Sequence, residues 1–133
     1  MNINTLYQGD CLEVMQAIDA ASVDMILCDL PYGITACKWD TVIPFEPLWA
    51  QYKRIIKPHG AIVLTANQPF TSALVMSNPK MFRHDWVWNK VTGVGHLCAK
   101  VKPLRQHESV LVFGIKGVKY YPIMRKGKLR NKG

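Results

Sequence analysis

The sequence predicts an α/β domain with a mostly parallel sheet flanked by helices, and three observations predict it. Val23 to Cys28 is a short, mostly apolar run that stops at Asp29, after which Pro31 and Gly33 force a turn. Leu48, Trp49, Tyr52, Ile55 and Ile56 recur at i, i+1, i+4, i+7 and i+8, which makes one apolar helical stripe. Ala61-Ile62-Val63-Leu64-Thr65 is a second apolar run. Both runs have the length and turn signals of strands buried in a parallel sheet. Strand, helix and strand in that order form a right-handed parallel unit. Side chains at the exit of such a strand point into the crevice where ligands bind. The order therefore sets a carboxylate, Asp29, and an aromatic ring, Tyr32, at a favoured place for chemistry. A strand-end Asp capping the next helix, with Tyr32 as packing, is the competing reading of Asp-x-Pro-Tyr alone.

Taken in order, Ile3 to Tyr7 reads as a strand ending at Gly9-Asp10. Leu12, Met15 and Ile18 then fall near helical spacing, with Asp10 placed either to cap that helix or to act as a ligand. Ala20-Ala21-Ser22 leads into the central strand. Ile34 to Asp40 is a polar and aromatic loop directly after Gly33, a candidate lid or substrate loop. Pro44 and Pro47 introduce the striped helix, which is expected to stop at Lys57-Pro58-His59-Gly60, with His59 a turn residue. Asn67-Gln68-Pro69-Phe70 opens a short helix through Ala73, Leu74 and Met76. His84 to Lys90 reads as a third strand and Ser109 to Phe113 as a fourth. The Gly-containing basic connector between them, Val91 to Gln106, is long for a compact domain, which marks a functional or mobile loop. Beyond Gly114 the chain is Lys/Arg-rich, with Tyr120-Tyr121-Pro122, and ends in Lys128-Leu129-Arg130-Asn131-Lys132-Gly133, with no apolar pattern for a closing helix or strand.

The 133 residues suffice for one domain with a core, and the apolar fraction of 49% is that of a globular chain. No apolar run approaches the roughly 20 residues that span a bilayer, and no signal pattern opens the chain, so no membrane partner is expected. Cys11, Cys28, Cys37 and Cys98 include no C-x-x-C pair, so buried free thiols in a reducing cytoplasm are expected rather than a metal site or a disulfide framework. The net charge of +8 is unevenly placed. Residues 1–79 hold four Lys/Arg against seven Asp/Glu, and residues 80–133 hold thirteen against Asp85 and Glu108. A basic half of this kind suits a polyanion surface, although solubility alone also accounts for many basic tails. Trp39, Trp86 and Trp88 are expected to be core or loop packing rather than base-stacking platforms.

Four segments give the chain a resemblance to the amino-group DNA methyltransferases, the N6-adenine and N4-cytosine enzymes, in the permuted order where the catalytic motif precedes the main cofactor motif. Gly9-Asp10-Cys11-Leu12 resembles the acid and helix start that flank the cofactor adenine. Asp29-Leu30-Pro31-Tyr32-Gly33 resembles the catalytic Asp-Pro-Pro-Tyr. Leu48 to Asn67 resembles the helix and strand after it, and Trp88-Asn89-Lys90 with His107 to Phe113 the later strand pair. The match covers most of residues 5–121. It implies a partial Rossmann-like methyltransferase sheet over residues 1–117, with 118–133 a basic tail or the start of a target-recognition region.

The resemblance also implies a chemistry. An exocyclic base amine is a poor nucleophile because its lone pair is delocalised into the ring. Two acceptors on its hydrogens draw it toward tetrahedral geometry and stabilise the charge that develops as methyl arrives. Those acceptors would be the Asp29 side chain and the Leu30 carbonyl, with Pro31 shaping the turn and Tyr32 stacking on a base flipped from the duplex. No metal or covalent nucleophile is required. Asp10, Cys11 and Asp29 would meet S-adenosylmethionine, and Lys90, Lys100, Lys102, Arg105 and His107 would meet double-stranded DNA. Leu30 stands where the family has Pro, which leaves the carbonyl in place and adds an N–H needing a partner. Gly93-Val94-Gly95 lacks the preceding strand and following helix of the family's glycine-rich cofactor loop and is rejected as that loop. The expectation is a truncated catalytic domain of restriction-modification type, completed by a homo-oligomer partner or a second polypeptide. The alternatives are a non-catalytic nucleic-acid-binding remnant and a methyltransferase for RNA or protein glutamine.

Overall fold

The computed structural model describes residues 4–127. The basic run from Lys128 to Gly133 and the start of the expected first strand at Ile3 lie outside them. A short helix, α1 (Cys11–Val14), continues into a 3-10 turn (Met15–Ala17) and leads to strand β1 (Val23–Asp29). Helix α2 (Phe45–Ile55), strand β2 (Ile56–Ala66) and helix α3 (Phe70–Ser77) follow, then β3 (Phe82–Val94), a 3-10 turn (His96–Cys98) and β4 (Arg105–Phe113).

The α/β class is as expected, but the sheet is mixed rather than mostly parallel. Its order is β1-β2-β4-β3, with β1 and β2 parallel and the other two pairings antiparallel. The connector between β3 and β4 explains the difference. Instead of a loop from Val91 to Gln106, both strands run into that stretch and pair again at Val94 and Arg105 beyond an irregularity that follows Asn89. Val91 takes a φ of 66° there, its N–H donating to Asn89 Oδ1 at 2.9 Å while its carbonyl accepts from Gln106 Nε2 at 3.0 Å. A hairpin joins neighbours antiparallel and needs no crossover helix.

The helix stripe holds from Leu48 to Ile55, whereas Ile56 is extended and opens β2. Leu48, Trp49, Tyr52 and Ile55 are buried against Ile62, Leu64, Ala66, Leu111 and Phe113 of the central strands, with Phe70 and Leu74 of α3 completing the layer. Trp49 Nε1 donates to Ser77 Oγ at 2.8 Å, which locks α2 to α3. Pro47 sits in the first turn, where its missing N–H costs nothing. Arg54, near the end of α2, donates to the carbonyls of Met15 at 2.6 Å and Ile18 at 2.7 Å, fastening the α1 segment to the core.

Four expectations change. Residues 4–10 form no strand: they join no ladder among the described residues, and Leu6 is 96% exposed. Lys57 to Gly60 is not a turn between helix and strand but a bulge within β2: Val23 pairs with Ile56, and Met25 already with Ala61. Gly60 permits it, since an added Cβ would stand 2.8 Å from the Asp24 carbonyl. Strand β1 is the outer strand of the described sheet and is covered on one face only, leaving Leu27 69% exposed. The apolar run that reads as a doubly buried strand is thus half-covered. The cysteines are free, but Cys11, Cys37 and Cys98 are exposed and Cys28 is half-buried.

Candidate active site

Three elements bring chemistry to one end of the sheet. The carboxyl ends of the parallel pair β1 and β2 finish side by side at Asp29 and Thr65. Antiparallel β4 begins at that same end, with Val110 opposite Thr65 and Ser109 opposite Ala66. The result is a concavity of ≈ 230 Å³ whose lining includes Asp29, Leu30, Pro31, Tyr32, Asn67 and Glu108.

Asp29 Oδ1 accepts from the Tyr32 hydroxyl at 2.7 Å and from the Thr65 hydroxyl, and the two hydroxyls are themselves 2.9 Å apart. Oδ2 has no hydrogen-bond partner among the described residues. One oxygen is therefore held in place and the other is left to accept. Desolvation raises the Tyr32 phenol above its ordinary range; the Thr65 hydrogen bond opposes that rise and Asp29 adds to it. Tyr32 remains a neutral donor. Its ring stacks on Phe70, with centroids 5.2 Å apart and planes at 28°.

The loop after Gly33 is tied down by Asp40. Its Oδ1 accepts from the Gly33 N–H at 2.8 Å, and its Oδ2 from those of Ile34 at 2.9 Å and Thr35 at 2.7 Å. These bonds, led by one from the Thr35 side chain and followed by the Gly33 N–H, push the Asp40 carboxyl down to about 2. Gly33 takes a φ of 68°, a conformation that suits glycine. Trp39, beside that anchor, is 74% exposed and lines the concavity, so it is not core packing. Trp86 and Trp88 on β3 are half-exposed as well.

On the opposite wall, Glu108 Oε1 accepts from Asn67 Nδ2 at 2.9 Å and from Lys90 Nζ at 2.5 Å, and Lys90 also lies 5.0 Å over the Trp88 ring. The structure thus gathers Asp29, Leu30, Pro31 and Tyr32, and adds Arg105 to the same lining. Leu30, at 5% exposed, also belongs to the hydrophobic core. Lys90 is internally paired. Lys100 and Lys102 are exposed in the hairpin connection, and His107 is exposed on β4 opposite Asn89. Asp10 and Cys11 stand outside the concavity. Asp10 caps α1, its Oδ1 accepting from the Leu12 N–H at 2.7 Å. The Cys11 thiol is pushed up by burial, then by Asp10 and by Cys28, the residue just before Asp29.

Sequence reasoning missed Thr65, Asn67, Asp40 and Glu108 as site residues. Thr65 and Asn67 were legible in principle as polar residues at the exit of an apolar strand. Asp40 and Glu108 reach the site through a loop closure and an antiparallel register that no local pattern encodes. Gly93 and Val94 lie in β3, and Gly95 (φ 98°) precedes the 3-10 turn, so the segment is part of the hairpin.

No protein-family model matches the chain. The chain is similar to the type II methyltransferase M1.MboII of Moraxella bovis, 23% identical over 105 residues that cover 71% of this chain and 40% of that protein. Among solved structures it superposes on the M1.HpyAVI–SAM complex with a TM-score of 0.60 at 18% identity, covering 94% of this chain and 62% of the other. It matches the cytosine-N4-specific PvuII DNA methyltransferase with a TM-score of 0.59 at 13% identity, covering 84% of this chain and 49% of the other. The chain therefore has the fold of these methyltransferases and spans less than half the length of the curated relative that it matches.

Proposed function

We propose that the chain carries the catalytic half of a DNA amino-methyltransferase, which moves a methyl group from S-adenosylmethionine to the exocyclic amine of adenine or cytosine. The observation that carries this reading is the division of labour on Asp29. Oδ1 is fixed by Tyr32 and Thr65, while Oδ2 has no partner among the described residues, and Asp29 lines a concavity of ≈ 230 Å³. An amine that donates one hydrogen to Oδ2 and the other to the Leu30 carbonyl is drawn toward tetrahedral geometry. Its developing charge is met by acceptors already in position. Phe70 covers one face of Tyr32, so a flipped base stacks on the other. Asp29 acts by accepting a hydrogen bond that positions the amine, and the surplus proton of the methylated amine passes to water.

The residues at the α1 end suit the adenosine part of the cofactor. Asp10 spends one oxygen on its cap and keeps the other for a hydroxyl or amine donor, and Cys11 is a neutral thiol beside Cys28. Bound S-adenosylmethionine supplies an electrophilic methyl sulfonium. Asp10 and Cys11 would hold the adenosine end, with Asp29 between cofactor and base. The similarity to M1.MboII and to a methyltransferase solved with SAM supports this choice over a binding-only role.

The test is label transfer from radioactive S-adenosylmethionine to mixed-sequence duplex DNA, with the modified base identified by nucleoside chromatography. N6-methyladenine or N4-methylcytosine is the expected product when the chain is assayed together with the polypeptide that completes its cofactor site, and little or none when the chain is assayed alone. Asp29→Ala is expected to remove it with a loss of roughly a hundredfold or more, while the circular dichroism spectrum and melting of the fold persist. Turnover that survives in Asp29→Ala would remove Asp29 from the mechanism.

A further inference from the structure

A second concavity, of ≈ 560 Å³, lies beside the first and shares two lining residues with it, Ile34 and Arg105. The two differ in charge. The first is lined by the carboxylates of Asp29, Asp40 and Glu108, whereas the second has Lys102 and Arg105 and no acid. Arg105 is half-buried at their junction, and its guanidinium makes no hydrogen bond or ion pair among the described residues. Lys90, by contrast, is consumed by Glu108. A partly buried guanidinium without a partner is costly to maintain and presents a rigid fork suited to phosphate oxygens. A nucleotide has the matching asymmetry, with amine donors on the base and a negative charge on the backbone.

Building on the function proposed above, we infer that Arg105 binds the phosphodiester flanking the nucleotide whose base enters the Asp29 concavity. The groove beyond it, with Lys102 and Gln68 on its walls, carries the adjoining backbone of the same strand. Arg105 then does more than add to a general basic field. It sets the strand's register against Asp29, because a bidentate contact fixes position where a mobile lysine does not.

The experiment measures binding of the protein to a labelled duplex with one unpaired adenine or cytosine, and to its fully paired counterpart. An unpaired base costs less to extrude, so tighter binding to the first duplex is expected. A neutral methylphosphonate is then placed at the phosphate 5′ or 3′ of that nucleotide and combined with Arg105→Gln in a thermodynamic cycle. At one of the two positions each change alone is expected to weaken binding about tenfold or more. There the two together should weaken it no further than either one. The methylphosphonate arm uses the unaltered protein, so it holds even where the variant folds poorly. Losses that multiply at both positions, or no effect of either methylphosphonate, would overturn the assignment of Arg105 while leaving the methyltransferase reading intact. Equal binding of paired and unpaired duplexes would instead overturn base capture itself, and the Arg105 assignment with it.

Discussion

Thr65 stands opposite Asp29 on the neighbouring parallel strand, and its hydroxyl donates to the same carboxylate oxygen that Tyr32 engages. The sheet's register, through Thr65, and the loop after β1, through Tyr32, therefore aim the carboxylate together. Replacing Thr65 with Val keeps the β-branched shape and deletes the donor. A hydrogen bond to a charged group contributes about 1.5–3 kcal/mol, so methyl transfer is expected to fall by roughly tenfold or more. The loss should appear in kcat rather than in the KM for S-adenosylmethionine, and Thr65→Ser should recover much of it. A Thr65→Val enzyme with unchanged kcat would show that Asp29 is aimed by other means.

The Asp40 anchor predicts an acid limb. Its carboxyl is lowered from an ordinary 3.8 to about 2, so the folded state favours the ionised form. That contribution is complete above about pH 4 and is lost as pH falls toward 2. Asp40→Asn cannot serve three N–H donors equally and forfeits the charge. Hydrogen exchange of the Gly33, Ile34 and Thr35 amides should speed up in the variant at neutral pH. The difference from the unaltered protein should narrow below pH 4. Equal exchange in the two proteins would mean that the loop is held elsewhere.

How much of this was legible in the sequence follows from where each interaction is encoded. The Leu48-Trp49-Tyr52-Ile55 stripe and the stop at Asp29 are local patterns, and both elements formed where those patterns fall. Asp10 capped its helix, as a short acceptor before a helical run can. The β3–β4 pairing was hidden because Gly93 and Gly95 read as loop punctuation. In the structure an added Cβ on Gly93 would stand 3.0 Å from Leu104, which explains glycine there as close strand packing. Lys90 reads as a phosphate ligand from charge alone, whereas its neutralisation by Glu108 depends on a register between residues eighteen apart.

Leu30 has two roles that can be separated. Its carbonyl is the proposed second acceptor, while its side chain is 5% exposed within the core. Leu30→Ala keeps the carbonyl and leaves a cavity, which costs about 2–5 kcal/mol for a buried leucine. The urea midpoint should fall accordingly, while residual folded enzyme keeps its dependence on Asp29. A midpoint unchanged by the truncation would show that the side chain is not packed as described.

The basic residues should divide into two groups by salt dependence. Lys90 is bound to Glu108 at 2.5 Å and stands over Trp88, so its charge is already spent within the wall of the concavity. Lys100 and Lys102 are exposed on the hairpin connection and have no acidic partner among the described residues. Each phosphate contact that releases a counterion contributes about one unit to the slope of log affinity against log salt. Replacing Lys100 and Lys102 together with Gln should therefore flatten the slope by up to about two. Lys90→Met should leave the slope nearly unchanged and instead lower thermal stability, because it leaves the half-buried Glu108 carboxylate without its counter-charge and with only the Asn67 amide as partner. The measurement is DNA affinity across a salt series for each variant, alongside its melting temperature. If Lys90→Met flattens the slope as much as the Lys100 and Lys102 pair, then Lys90 leaves Glu108 for phosphate when DNA binds.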